Sequence, residues 1–290
     1  MTIQFSKIGL IGKHAHPEVR STAASLIAFL QHQGIEVILE KTEYSVSPDL
    51  PLPQASRDEL GKHCDLIIVV GGDGSLLDAS RAMVDFDVPL VGVNRGRRGF
   101  LTDISPQALT QSLEPILRGE FQEERRFLLE MALWRNNNII AKSIALNEVT
   151  LYCGDIARML EFELSIGSQH VYRQRSDGLI VATPTGSTAH ALAGGGPIIH
   201  PAINAMVLVP MHPSVLSSRP IVIDANLPIS LHLTSDSVLN PRISCDGQVH
   251  FDAIPNDKIL IKRKAKELRL LHPMDYDYYD TLRTKLGWSA

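Results

Sequence analysis

Apolar positions in the first hundred residues follow two rhythms that take turns along the chain. Lys7 to Ile11 is a short β-rich apolar run that predicts a strand. From Pro17 the apolar residues Val19, Ala23, Leu26, Ile27 and Leu30 recur at helical spacing, and Gly34 supplies the stop. Glu36 to Leu39 predicts the next strand, Tyr44 to Gln54 a loop punctuated by proline and serine, and Arg57 to His63 a short helix. Leu66 to Val70 is continuously apolar, the pattern of a strand covered on both faces, and Gly71 with Gly72 ends it. A helix over Ser75 to Phe86, a strand over Pro89 to Val93 and a glycine-rich basic loop over Asn94 to Gly99 follow. Strands alternating with helices predict a doubly wound parallel α/β sheet.

After a helix over Pro106 to Glu120 the pattern turns to apolar and polar residues in alternation. Leu129 to Trp134 and Ile139 to Ala145, joined by Asn136-Asn137-Asn138, predict a hairpin. Ile229 to Leu233, Ile243 to Phe251 broken at Asp246-Gly247, and Lys258 to Ile261 extend the β pattern, and Tyr276 to Leu286 is helical again. The expected architecture is an N-terminal doubly wound α/β domain over residues 1–126 and a C-terminal β-rich sandwich domain over 127–270. The helix in 271–290 is expected to pack back on the first domain. At about 150 residues per domain, a chain of 290 residues is long enough for both.

Composition narrows the function. Apolar residues at 44% and charged residues at 21% describe a globular protein. A net charge of −4, from 28 Lys plus Arg against 32 Asp plus Glu, gives no global attraction for nucleic acid or an anionic membrane. Cys64, Cys153 and Cys245 form neither a disulfide framework nor a zinc knuckle, and the histidines show no metal-binding spacing, so no structural metal is expected. No apolar run is long enough to span a membrane and the first residues carry no leader pattern, so the expected location is the cytoplasm.

Three clusters carry candidate chemistry. Gly71-Gly72-Asp73-Gly74-Ser75 joins an apolar strand to a helix, where glycines and free helix N–H groups suit phosphate. It is neither a Walker loop nor a dinucleotide fingerprint. An acid there would repel a phosphate unless it had a role of its own, such as holding a divalent cation or accepting a proton from an attacking hydroxyl, and that points to phosphoryl transfer; the same letters also suit a tight turn in which the Asp caps a helix. Asn147-Glu148 pairs an amide and a carboxylate suited to ribose hydroxyls, or a polar hairpin edge. The third cluster runs from Arg175-Ser176-Asp177-Gly178 through strand Leu179 to Ala182 and the Thr183-to-Ala191 segment to Gly194-Gly195-Gly196-Pro197, exposing main-chain groups able to hold a flat base. Lys262-Arg263-Lys264-Ala265-Lys266 reads as a solvated strand face.

These clusters, with Gly92-Val93-Asn94, Phe100-Leu101-Thr102-Asp103 and Asp246-Gly247-Gln248, closely resemble the bacterial NAD kinase family in order and spacing along nearly the whole chain. The GGDG alone is shared with sugar and lipid kinases, whereas the Thr-Pro-Thr-Gly-Ser-Thr-Ala run with a later Asp-Gly-Gln is similar to NAD kinases. The resemblance implies an active site between two domains and transfer of the ATP γ-phosphoryl group to the 2′-hydroxyl of the adenosine ribose of NAD, giving NADP. It further implies a divalent cation such as Mg2+ and a homodimer or homotetramer. Asp73 is then the proton acceptor, with Gly71, Gly72, Gly74 and Asn94 beside the nucleotide and Phe100 lining the adenine. Asn147 and Glu148 match the ribose-binding pair, and Asp177 and Ala189 the positions near the nicotinamide end and the adenine. Arg158, Arg175, Thr185, Thr188, His190, Ala191, Leu192, Ala193 and Gln248 fall where the family contacts the dinucleotide. Two departures stand out: His190 where the family commonly has Tyr, and Arg98 at a usually apolar position. The alternatives are a lipid or sugar kinase with the same loop and a non-catalytic NAD sensor.

Overall fold

The computed structural model describes residues 3–12, 17–42, 51–95, 99–154, 159–234 and 240–288. Most of the Tyr44 to Gln54 loop, Arg98 with its neighbours in the basic loop, and Arg158 lie outside them. The chain divides into two compact units, one of residues 1–125 with 268–290, the other of 126–267.

In the first unit the elements are β1 (Lys7–Gly12), α1 (Pro17–His32), β2 (Glu36–Glu40), β3 (Gln54–Ala55), α2 (Arg57–His63), β4 (Leu66–Gly71), α3 (Asp73–Met83), β5 (Leu90–Asn94) and α4 (Leu109–Leu117). The strands are parallel in the order β3-β2-β1-β4-β5, so the order reverses between β1 and β4. All of β4 is buried. Leu66, Ile68 and Val70 share a core with Leu26 and Leu30 of α1 and Leu113 and Ile116 of α4. Ile67 and Val69 alternate to the other face, and a β-carbon on Gly9 would meet both Ile67 and Leu60 of α2 there. Two-sided cover explains the continuous apolar run.

Boundaries differ from the sequence reading for local reasons. α3 starts at Asp73 rather than Ser75, because Gly72 takes the extended N-cap conformation and leaves Asp73 as the first helical residue. The expected Pro106-to-Glu120 helix is a 3-10 turn at Pro106–Ala108, capped by Ser105, followed by the shorter α4, which Gly119 ends in the left-handed region (φ +89).

The second unit is built from β6 (Gln122–Arg135), which enters it from the first, β7 (Asn138–Ala145), β8 (Glu148–Cys153), β9 (Leu160–Ile166), β10 (Gln169–Ser176), β11 (Gly178–Ala182), α5 (His190–Ala193), β12 (Ala205–Met211), β13 (Ile221–Asp224), β14 (Ile229–Leu233), β15 (Pro241–Cys245), β16 (Val249–Asp252) and β17 (Lys258–His272). One antiparallel sheet has the order β13-β12-β11-β8-β15-β16; the other runs β10-β9-β14-β17, with β6 on β17 and β7 on β6. Val149, Leu151, Leu179, Val181 and Leu208 of the first sheet pack with Phe162, Leu164, Leu231 and Ile259 of the second, a β-sandwich core. Strand β11 is buried along its whole length because its alternate residues Ile180 and Ala182 face a second core with Ala191, Ile199, Val207 and Val209.

The chain returns to the first unit along β17, where Leu270 pairs with Leu90, and ends in α6 (Tyr278–Leu286), capped by the Asp277 side chain. His272, only 3% exposed, has Nδ1 2.8 Å from Asp103 Oδ2 and Nε2 3.4 Å from Glu124 Oε2, under the stacked ring of Tyr276. Burial alone would favour the neutral ring, but the two carboxylates more than offset it and hold the imidazole pKa above its ordinary value. A raised folded pKa contributes stability that is complete below the unfolded value and lost as pH rises through the folded one, at about 1.4 kcal/mol per unit of displacement. Urea unfolding across pH 5 to 9 should therefore show wild type more stable than His272→Gln at acid pH, with the difference shrinking toward alkaline pH; a difference that grows with pH would contradict the clamp.

Candidate functional site

In the first unit, β4 delivers Gly71, Gly72 and Asp73 to the carboxyl end of the sheet at the point where strand order reverses, the position where open α/β sheets bind ligands. Gly71 is buried and Gly74 exposed, at the start of α3. The Asp73 carboxylate is engaged by the loop after β5. Oδ2 accepts from Phe100 N at 2.7 Å; Oδ1 accepts from Leu101 N, Thr102 N and Thr102 Oγ1, each at 3.2 Å. A β-carbon on Gly99 would fall on that carboxylate, so glycine is what permits the approach. Asn94, 4% exposed, holds the same loop from the other side, its Nδ2 donating to Thr102 O at 3.2 Å and its N–H to Ile104 O at 2.8 Å. The acid in the glycine-rich loop thus fixes the loop that carries Phe100, which is half-buried.

In the second unit the same device recurs. Asp246 and Gly247 form a tight turn between β15 and β16, with φ +53 and +66. The Asp246 carboxylate, 7% exposed, accepts from Leu146 N (3.1 Å), Asn147 N (2.7 Å) and Glu148 N (3.3 Å). Thr183 grips that stretch from β11: its hydroxyl donates to Leu146 O at 2.6 Å and accepts from Gly186 N, while its own N–H donates to Asn147 O. A β-carbon on Gly186 would fall on the Asn147 carbonyl. Ser187 Oγ donates to Pro184 O and accepts from Ile199 N, and Arg126, 4% exposed, donates to Thr185 Oγ1 at 3.1 Å. The long segment after β11 is therefore a fixed scaffold, rooted by Ala191, whose side chain is wholly buried.

Glu148 is 2% exposed and its Oε1 lies 2.7 Å from His190 Nδ1. Burial pushes its carboxyl pKa up, and His190 only partly reverses this. His190 opens α5 and lines a pocket of about 500 Å³ with Ala193, Gly194, Thr150, Tyr152, Ile180, Pro210, Met211, His212, Ser244, Gly247 and His250. That size suits a small planar ligand.

Of the residues singled out from sequence, His190, Ala193, Gly194 and Gly247 line this pocket. Asn147, Glu148, Thr185, Thr188 and Ala189 belong to the scaffold next to it in sequence; Leu192 is half-buried, and Gln248 and Arg175 stand on the β15–β16 turn and on β10. Asp177 contacts the pocket residue His212, Oδ2 to Nδ1 at 2.9 Å. Sequence reading did not mark Asp246 as an anchor, nor Thr150, Tyr152, Ser244, His212 and His250 as lining. An Asp-Gly pair between strands was the available signal for the first. The others emerge only once β12, β11, β8, β15 and β16 are assembled into one sheet. Asp246→Ala leaves three loop N–H groups without their acceptor, at ~1 to 3 kcal/mol each when buried. Urea unfolding should show a loss of at least about 3 kcal/mol, and a loss under about 1 kcal/mol would mean that the loop is held by other contacts.

Known proteins are similar to this chain along nearly its whole length. Residues 8–121 match the family described as the ATP-NAD kinase N-terminal domain, and residues 146–272 its C-terminal domain. A Teredinibacter turnerae protein named NAD kinase is 50% identical over 286 residues, 99% of this chain and 98% of its own, and a Marinomonas NAD kinase is 48% identical over 286 residues with the same shares. The fold is similar to yeast NADH kinase solved with NADH (TM-score 0.88, 22% identity, 98% of this chain and 88% of that one). It is also similar to an Archaeoglobus fulgidus NAD kinase solved with ATP (TM-score 0.74, 23% identity, 98% and 100%). Half the residues being shared with a bacterial NAD kinase from end to end, in a chain with that fold, places it plainly: the chain belongs to the NAD kinase family.

Proposed function

We propose that this ATP-dependent NAD kinase transfers the γ-phosphoryl group of ATP to the 2′-hydroxyl of the adenosine ribose of NAD, with Asp73 accepting the hydroxyl proton. The observation that supports it is the lone carboxylate of the glycine-rich loop at the sheet's switch point, in a chain 50% identical over 286 residues to a protein named NAD kinase. Phosphoryl transfer has a loose transition state, so alignment of the hydroxyl matters more than base strength. A carboxylate offers about four lone-pair positions. Asp73 Oδ1 takes three donors and Oδ2 one, so Oδ2 is the oxygen with capacity to orient the hydroxyl and receive its proton while Oδ1 keeps the loop in place.

The dinucleotide is assigned to the second unit: the Asn147–Glu148 stretch toward the ribose, the pocket beside His190 toward a ring, and Asp177, Thr185, Thr188, Ala189 and Gln248 as further contacts. Arg175, Ala191, Leu192 and Ala193 are kept in the same set, as is Arg158, which lies outside the described residues. The divalent cation is assigned to the substrate, on the ATP phosphates. A homodimer or homotetramer in the cytoplasm completes the reading. Among the described residues no helix is long and apolar enough to cross a membrane.

Purified protein with ATP, Mg2+ and NAD should produce NADP; NAD binding without conversion would overturn the proposal. Asp73→Asn should lower kcat at least about a hundredfold, the share a proton acceptor contributes. Its Oδ1 can keep three donors, whereas its Nδ2 would face Phe100 N–H, so a lower melting temperature is expected alongside. Near-normal kcat would leave Asp73 with the loop alone. Asn147→Ala and Asp177→Ala should raise KM for NAD more than for ATP, by up to about tenfold for a lost polar contact; equal effects on both substrates would contradict the division.

A further inference from the structure

The His190–Glu148 pair is built more like an instrument of selection than a surface contact. Glu148 is almost wholly buried, and while its Oε1 meets His190 Nδ1 at 2.7 Å, its buried Oε2 has no hydrogen-bond partner among the described residues. A buried carboxylate with one partner is costly to keep. His190 itself is mostly exposed, and among the described residues Nδ1 alone of its ring nitrogens is hydrogen bonded. Its ring lines a pocket whose apolar wall is formed by Ile180, Ala193, Pro210 and Met211. Ser244 adds a second polar point: it lines the same pocket at 7% exposure, and its hydroxyl is buried without a partner among the described residues. Pockets of this kind draw their selectivity from a few placed polar groups on apolar walls.

An ionised carboxylate can only accept, so beside it the neutral imidazole carries its proton on Nδ1 and leaves Nε2 as an acceptor. An acceptor at that point favours a ligand that donates. We infer that His190, its tautomer set by Glu148, selects the dinucleotide by accepting a hydrogen bond at Nε2 from an exocyclic amino group on a planar ring, the adenine amine or the nicotinamide carboxamide. This rests on the assignment of the dinucleotide to the second unit. In it Glu148 acts through His190 as a positioning residue.

The test compares three dinucleotides: NAD, its analogue with an oxo group in place of the purine amine, and its analogue with an acetyl group in place of the carboxamide. Wild type should prefer NAD over one analogue by about tenfold or more in kcat/KM, the difference lying in KM, because a site built to pair a polar group rejects the ligand lacking it. In His190→Phe, which keeps a flat ring without nitrogens, that preference should fall to about twofold, and the analogue affected identifies the ring. Calorimetric binding of NAD and the analogues without ATP reads the same ratio independently of chemistry, with circular dichroism confirming the fold of the variant. Preference retained in His190→Phe, or absent from wild type for both analogues, overturns the inference. Wild type that binds NAD with the expected preference but forms no NADP overturns the proposed reaction and leaves the inference standing.

Discussion

Backbone N–H groups in an irregular loop must find acceptors, and in both units of this protein an aspartate carboxylate supplies them. Asp73 gathers three amides and a hydroxyl from residues 100–102; Asp246 gathers three amides from residues 146–148. Hydrogen bonds to an ionised acceptor are about twice as strong as neutral ones, so one carboxylate can fix a loop that has no regular structure to lean on. Glycine recurs for the complementary reason. Gly99 lies against the Asp73 carboxylate and Gly186 against the Asn147 carbonyl, so both loops close to distances at which a β-carbon has no room.

The sheets bring these loops to useful positions. Parallel order with reversal between β1 and β4 puts the glycine-rich turn at a carboxyl edge open to ligand. In the second unit β11 is buried on both faces, one toward the sandwich and the other beneath α5, and so carries the Thr183-to-Ala193 segment on an immobile base. Precision in the loops is thus inherited from cores that tolerate little movement.

Much of the α/β unit was legible because burial on two faces writes a continuous apolar run at β4 and helical spacing at α1. The β unit was legible at Leu129 to Ala145, Leu179 to Ala182, Ile229 to Leu233, the Ile243 to Phe251 pair broken at Asp246-Gly247, and Lys258 to Ile261, where a turn, alternation or a fully buried strand marks the sequence. Strands such as β10, with exposed and buried residues in irregular turn, and β13, alternating half-buried with exposed, leave weak patterns. Motifs revealed which residues to watch but not what each one touches. Asp73 engaging Phe100 N and Glu148 engaging His190 are contacts across 27 and 42 residues, and no local rule of spacing contains them.

A residue that both holds a loop and does chemistry constrains how its variants are read. With Oδ1 committed to three donors, Asp73 cannot swing freely toward a substrate without releasing Leu101 and Thr102, and releasing them would free the loop that carries Phe100. The proton acceptor is thereby preorganised at the expense of mobility, which suits a reaction governed by alignment. Substitutions at Gly99, Thr102 and Asp73 should accordingly couple rather than add, since each alters the same carboxylate. Asn94 extends that unit through Thr102 O, so effects on nucleotide handling there need not mean contact with a nucleotide.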